Sequence, residues 1–106
     1  MVTHDAEAVF HALADPTRRD ILDLLRTSER SAGEVAAQFP VSRPAVSRHL
    51  RVLRQAGLVT HTKEAQTRMY RLAPEALRAV DAWIERYRVF WSARLHDLKR
   101  YVEDQP

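Results

Sequence analysis

The chain contains no cysteine and only two glycines in 106 residues. Without cysteine there is no disulfide framework, no thiolate metal site and no cysteine nucleophile. The glycines, Gly33 and Gly57, stand far apart, so no glycine-rich loop is available to cradle a phosphate. No apolar run approaches the ~18 to 20 residues needed to span a bilayer. Met1 to Asp5 lacks the basic-then-apolar order of a secretory leader, so the expectation is a soluble, cytoplasmic protein with no membrane association. The histidines are scattered and no serine has a nucleophile-elbow context, so no enzyme site and no cofactor are expected.

What is present fits one domain over residues 1–106. A chain of this length buries roughly 60 to 70% of its unfolded surface, which gives a thin core that a partner subunit would extend. The net charge of +3 is unevenly spread. Between residues 41 and 71, seven basic side chains (Arg43, Arg48, Arg51, Arg54, Lys63, Arg68 and Arg71) face one acid, Glu64, a local balance of +6. The other residues carry 10 basic against 13 acidic groups, or −3. A positive segment in a slightly acidic chain is the footprint of a polyanion binder.

Punctuation and periodicity place that segment. Thr3 or Asp5 caps a first helix to Ala14, with Val9, Phe10 and Leu13 on one side. Asp15 before Pro16 starts a second helix whose stripe is Ile21, Leu22, Leu24 and Leu25. Thr27 to Arg30 reads as a polar turn. Ser31 with Glu34 is a capping box opening a third helix with Val35, Ala36 and Phe39 inward, and Pro40 ends it. Ser42 caps a fourth helix, with Val46, Leu50 and Leu53 buried and Gly57 as a left-handed terminator. Leu58 to Lys63 and Thr67 to Leu72 form a small antiparallel hairpin around Glu64, Ala65 and Gln66. From Pro74 and Glu75 a long terminal helix runs to about Val102 on a seam of Leu77, Val80, Ile84, Tyr87, Trp91, Leu95, Leu98 and Val102.

The fold class expected is mainly α with a small β-hairpin. Two short helices, the second basic outside, followed by a hairpin are the layout of a winged helix-turn-helix. At 100° per residue, Pro44, Arg48, Arg51 and Gln55 fall opposite Val46, with Arg43, Ser47 and Arg54 on the flanks. Arg48, near the helix start, can pair bidentately with guanine, while Arg51 and Arg54 sit where phosphates pass. Lys63, Gln66 and Arg68 stand at or near the wing tip. Arg18 and Arg19 are expected to pair with Asp15, Asp20 or Asp23, and His49 to be a partly buried structural histidine.

These stretches resemble the ArsR family of bacterial winged-helix regulators: Leu13-Ala14-Asp15-Pro16-Thr17-Arg18-Arg19 with Ile21-Leu22, Val41 through Leu50 with Leu53, Ala56-Gly57-Leu58-Val59, and Tyr70 with Leu72. The resemblance covers roughly residues 6 to 75. It implies a homodimeric repressor of transcription on an imperfect palindrome of double-stranded DNA, with a DNA-binding core over about 5–75 and a terminal dimerisation helix over about 74–103. By the same resemblance Ser42, Arg43, Pro44, Ser47 and Arg48 match the start of the family's recognition helix. Metal sensors of the family carry thiolates in the third helix or His and carboxylate ligands on the last. Ser31 to Phe39 has no cysteine and the last helix holds one histidine, His96, beside Asp97, so no metal site is expected.

Trp83 and Phe90 lie off the seam, which makes the last helix apolar over more than one stripe. The wider surface is assigned to a partner subunit: Trp83, Tyr87, Phe90, Trp91, Leu95 and Leu98, completed by Val9, Phe10 and Leu13. A small-molecule effector between these helices, unidentified, is a further reading. The alternative to a DNA regulator is a winged-helix module whose basic face binds an acidic protein or RNA.

Overall fold

The structure is a computed structural model that describes residues 5–105. In chain order it comprises α1 (Ala6–Leu13), α2 (Pro16–Leu25), β1 (Arg30–Ser31), α3 (Ala32–Ala36), α4 (Arg43–Gln55), β2 (Val59–Glu64), β3 (Thr67–Leu72), a 3-10 turn (Pro74–Leu77) and α5 (Arg78–Glu103). Each early helix begins where a side chain can satisfy its free amides. The Asp5 carboxylate accepts from the Glu7 amide at 3.0 Å and caps α1; Thr3, the other cap considered, lies outside the described residues. Asp15 accepts from the Arg18 amide at 3.0 Å, with Pro16 leading α2. At α3 both arms of the capping box form, Glu34 N–H to Ser31 Oγ at 3.1 Å and Ser31 N–H to Glu34 Oε1 at 3.0 Å.

Helix α4 is closed at both ends. Ser42 Oγ accepts from the Ala45 amide at 3.2 Å. At the other end Gly57 takes φ 80°, the Leu58 amide donates to Leu53 O at 2.9 Å and the Gly57 amide to Arg54 O at 3.0 Å. That pair of bonds is a Schellman motif, and the hydrophobic contact that accompanies it falls on Leu53 and Leu58, both fully buried.

The core lies where α1, α2, α3 and α4 meet the base of the sheet. Val9, Ala12, Ile21, Leu22, Leu25, Val35, Val46, Leu50, Leu53, Leu58 and Val59 are buried there. The sheet departs from the expected hairpin. It has three strands in the order β1-β3-β2, because Arg30, read from sequence as the end of a turn, and Ser31, read as a helix cap, pair with Tyr70 and Met69. Glu64 also belongs to its strand, opposite Thr67, so the turn is the two residues Ala65 and Gln66. Ala65 has φ 56°. At a positive φ alanine lacks the freedom that glycine has there.

After Leu72 the chain makes a 3-10 turn where a helix start was expected, and α5 then runs on for 26 residues, about 39 Å at 1.5 Å per residue. Leu77 and Val80 pack against the core. From Tyr87 onward the seam has nothing to lie on: Tyr87, Trp91, Leu95, Leu98 and Val102 are exposed, as are Val89, Phe90 and Tyr101 beside it. The polar back of α5 is stitched by Arg88, which bonds to both Asp81 and Glu85.

Candidate nucleic-acid interface

The buried line of α4, Val46, Leu50 and Leu53, fixes what the rest of the helix can do. Pro44, Arg48, Arg51 and Gln55 stand opposite it and are exposed. One flank carries Arg43, Ser47 and Arg54, also exposed, and turns toward the wing. The other carries Ala45, His49 and Val52, which are half-buried. A strict 3.6-residue period thus separates one face for the core from two free faces.

The register of the wing brings its cations to the same side. Residues directly opposite across the ladder share a face. Val59 opposes Leu72, His61 opposes Tyr70 and Lys63 opposes Arg68, so this face changes from apolar at the base to cationic at the tip. The His61 and Tyr70 rings lie 5.3 Å apart. Between wing and α4 opens a recess of about 430 Å³ whose walls include Arg43, Ser47, Lys63, Gln66 and Arg68. Five residues singled out from two separate sequence segments therefore border one concavity. Ser42, as the α4 cap, stands at its margin in sequence, while Arg48, Arg51 and Arg54 do not line it.

The electrostatics of this surface are one-sided. Arg43, Arg48, Arg51, Arg54, Lys63 and Arg68 are exposed, among the described residues none is in an ion pair, and no carboxylate is among the residues that line the recess. Lys63 and Arg68 oppose one another directly, an arrangement that costs stability unless an anion lies against it. His61 reports the same field: burial first, then Arg54 and Arg68, hold its pKa below the ordinary histidine value.

Arg18 and Arg19 behave differently from expectation. Neither guanidinium pairs with Asp15, Asp20 or Asp23. Arg18 Nε donates to Ala12 O at 2.7 Å and its Nη2 to His11 O at 2.9 Å, while Arg19 Nη1 donates to Leu13 O at 2.7 Å. Together they donate to carbonyls of the last turn of α1, of which His11 O also accepts from the Ala14 amide at 3.2 Å, and put positive charge at the negative pole of that helix. His49 is half-buried, with Nδ1 3.4 Å from Arg18 Nη1, in keeping with a structural role. The residues expected at a subunit interface divide. Val9 is fully buried in the protomer core and has no surface left for a partner, and Leu13 is half-buried beside α2. Phe10, Trp83, Tyr87, Phe90, Trp91, Leu95 and Leu98 keep exposed surface.

Comparison with known proteins agrees with this geometry. A helix-turn-helix domain model matches residues 13–62. The chain is 40% identical over 76 residues to the transcriptional repressor SdpR of Bacillus subtilis, covering 72% of this chain and 84% of SdpR. It is 37% identical over 99 residues to the HTH-type transcriptional regulator Rv2034 of Mycobacterium tuberculosis, covering 93% and 90% of the two chains. An ArsR-like transcriptional regulator from Rhodococcus sp. RHA1 superposes with a TM-score of 0.70 at 35% identity, over 94% of each chain. The chain belongs to the ArsR family of winged-helix transcriptional regulators. As an ArsR-family protein it is a DNA-binding regulator of transcription and not an enzyme. The thiolate sensing known in this family does not fit it, since the chain has no cysteine, and among the described residues no three His, Asp or Glu side chains converge on a metal-sized point. Among the described residues no helix is long and apolar enough to cross a membrane.

Proposed function

We propose that the protein is a cytoplasmic homodimeric repressor that binds a palindromic operator, each subunit laying α4 in a major groove with its wing against the neighbouring backbone. The observation that carries this reading is the set of six exposed cations on α4 and the wing without a carboxylate partner among the described residues. Arg48, with Ser47 and Arg43, supplies base contacts; Ser42 and Pro44 set the start of the helix; Arg51, Arg54, Lys63, Gln66 and Arg68 meet phosphates and sugars. The recess between α4 and the wing takes the sugar-phosphate strand that borders the groove. The apolar arc of α5 from Trp83 to Leu98, with Phe10, is covered by the second subunit, which sets the two α4 helices about one DNA turn, ~34 to 36 Å, apart.

The test is fluorescence anisotropy with duplex DNA from upstream of the protein's own gene, competed by unrelated duplex. A specificity ratio of ~10³ or more is expected. With six phosphates neutralised per dimer, log K falls against log salt with a slope of about −5. A flat salt response, or tighter binding to RNA or to an acidic peptide than to the duplex, overturns the reading.

A further inference from the structure

All three nitrogens of the Arg18 guanidinium are engaged, and they reach two helices besides its own. Nε and Nη2 hold Ala12 O and His11 O at the end of α1, and Nη1 donates to His49 Nδ1 on α4 at 3.4 Å. A guanidinium only donates, so in a hydrogen bond at this contact His49 Nδ1 is the acceptor.

The position of His49 on α4 gives this contact its meaning. Val46, Leu50 and Leu53 lie nearly along one line of the helix. Val52 and Ala56 pack beside that line on the flank of His49, and because apolar contact is non-directional the polar contact of His49 adds an orientational restraint that packing alone does not supply. His49 stands about 60° off the seam on the half-buried flank, and its bond to Arg18 is directional. Rotation of α4 by a few degrees swings the tip of Arg48, the next residue, on the longest radius of the helix. Bidentate pairing with a base edge tolerates little of that swing, whereas phosphate contacts by flexible cations tolerate much.

We infer that Arg18 and His49 are positioning residues for DNA reading: their bond sets the roll of α4 and registers it to the end of α1. The inference rests on the reading of α4 as the helix that enters the groove. Neither side chain neutralises a phosphate in this scheme, so losing the bond degrades discrimination and leaves non-specific affinity alone.

The experiment compares full-length wild type with His49→Leu, His49→Asn, Arg18→Lys and the Arg18→Lys/His49→Leu double variant. Each is titrated with operator and with unrelated duplex over a salt series, and its thermal midpoint is measured. Leucine fills the site without an acceptor. Asparagine puts Oδ1 where Nδ1 stands, at a helix propensity near that of histidine. The expected result is a fall of about tenfold in the ratio of specific to non-specific affinity for His49→Leu, with the salt slope and thermal midpoint of wild type. His49→Asn recovers the ratio, and the double variant falls no further than either single one. Should His49→Leu unfold, His49→Phe serves as the acceptor-free variant. An unchanged ratio in the acceptor-free variant, or an equal fall in His49→Asn, overturns the inference. A wild-type protein with no operator preference overturns the reading of α4 itself, which is a separate result.

Discussion

Phe10 and Trp83 meet edge to face, their ring centroids 5.8 Å apart and their planes at 74°. This contact ties the first helix to the last, and Trp83 in turn tilts against Tyr87 at 5.2 Å. A double-mutant cycle of Phe10→Leu and Trp83→Leu, read by urea denaturation at fixed protomer concentration, should give a coupling of about 0.5 to 1.5 kcal/mol. Strictly additive losses would mean that the two rings only happen to lie together.

Arg48→Ala and Arg54→Ala should fail in different ways. The first is expected to cost about 1 to 3 kcal/mol of discrimination at one base pair of each half-site; the second should weaken binding to all duplexes alike and lower the salt slope of the dimer by about 2, one contact being lost from each subunit. Both positions are exposed, so the thermal midpoint stays where it is. Equal profiles for the two variants would remove the division between base and backbone contacts.

Trp91 is 56% exposed and Leu95 66% exposed in the protomer. Trp91→Glu or Leu95→Glu therefore leaves the protomer fold intact, judged by far-ultraviolet dichroism, while light scattering reports monomers and operator affinity drops. Dimers that survive both changes would place the subunit contact elsewhere.

Ala65, at φ 56°, occupies a backbone conformation that a Cβ disfavours by roughly 1 to 2 kcal/mol. Ala65→Gly removes that strain and adds chain entropy to the unfolded state, so a net gain of about 0.5 kcal/mol is expected in chemical denaturation. A loss of stability would show that the alanine methyl makes contacts worth more than the strain.

Two carboxylates set the acid limb of stability. The Arg18 amide holds Asp15 below its ordinary value of 3.8, and the Ser31 amide and hydroxyl hold Glu34 below 4.5. Because each folded value is depressed, the unfolded chain binds more protons in this range. The stabilisation is complete above those ordinary values and is lost as pH falls through the lower, folded ones. Asp15→Asn keeps a competent cap yet should flatten the fall in urea midpoint below about pH 4. A slope equal to wild type would exclude Asp15 as a contributor.

Much of this architecture was written in short-range chemistry. Asp15 with Pro16, Ser31 with Glu34, Ser42 and Gly57 each announce a helix end because the groups that satisfy the backbone are local, and the 100° step placed Arg48 and Arg51 on the free side of α4 correctly. Strand β1 was not legible: two residues cannot display an alternating pattern, and Arg30 is drawn into the sheet only because β3 has an open edge beside it. The positive φ at Ala65 carried no glycine or asparagine to mark it. Arg18 misled for a different reason. Three nearby aspartates suggested an ion pair, but the two-residue turn at Ala14 and Asp15 folds the end of α1 back and offers carbonyls six and seven residues upstream, a backbone approach that residue types do not display. Val9 was assigned to a partner since its face was known and its depth was not.

The two residues of β1 have an effect out of proportion to their number. They give β3 a neighbour on each side and fasten the segment entering α3 to the wing, so hairpin and reading helix form one plate instead of a body with a loose flap. A surface already folded before contact has little order left to acquire. Calorimetry of operator association should accordingly find a heat-capacity change no larger than the apolar area covered at the contact accounts for, with no contribution from a segment condensing onto DNA.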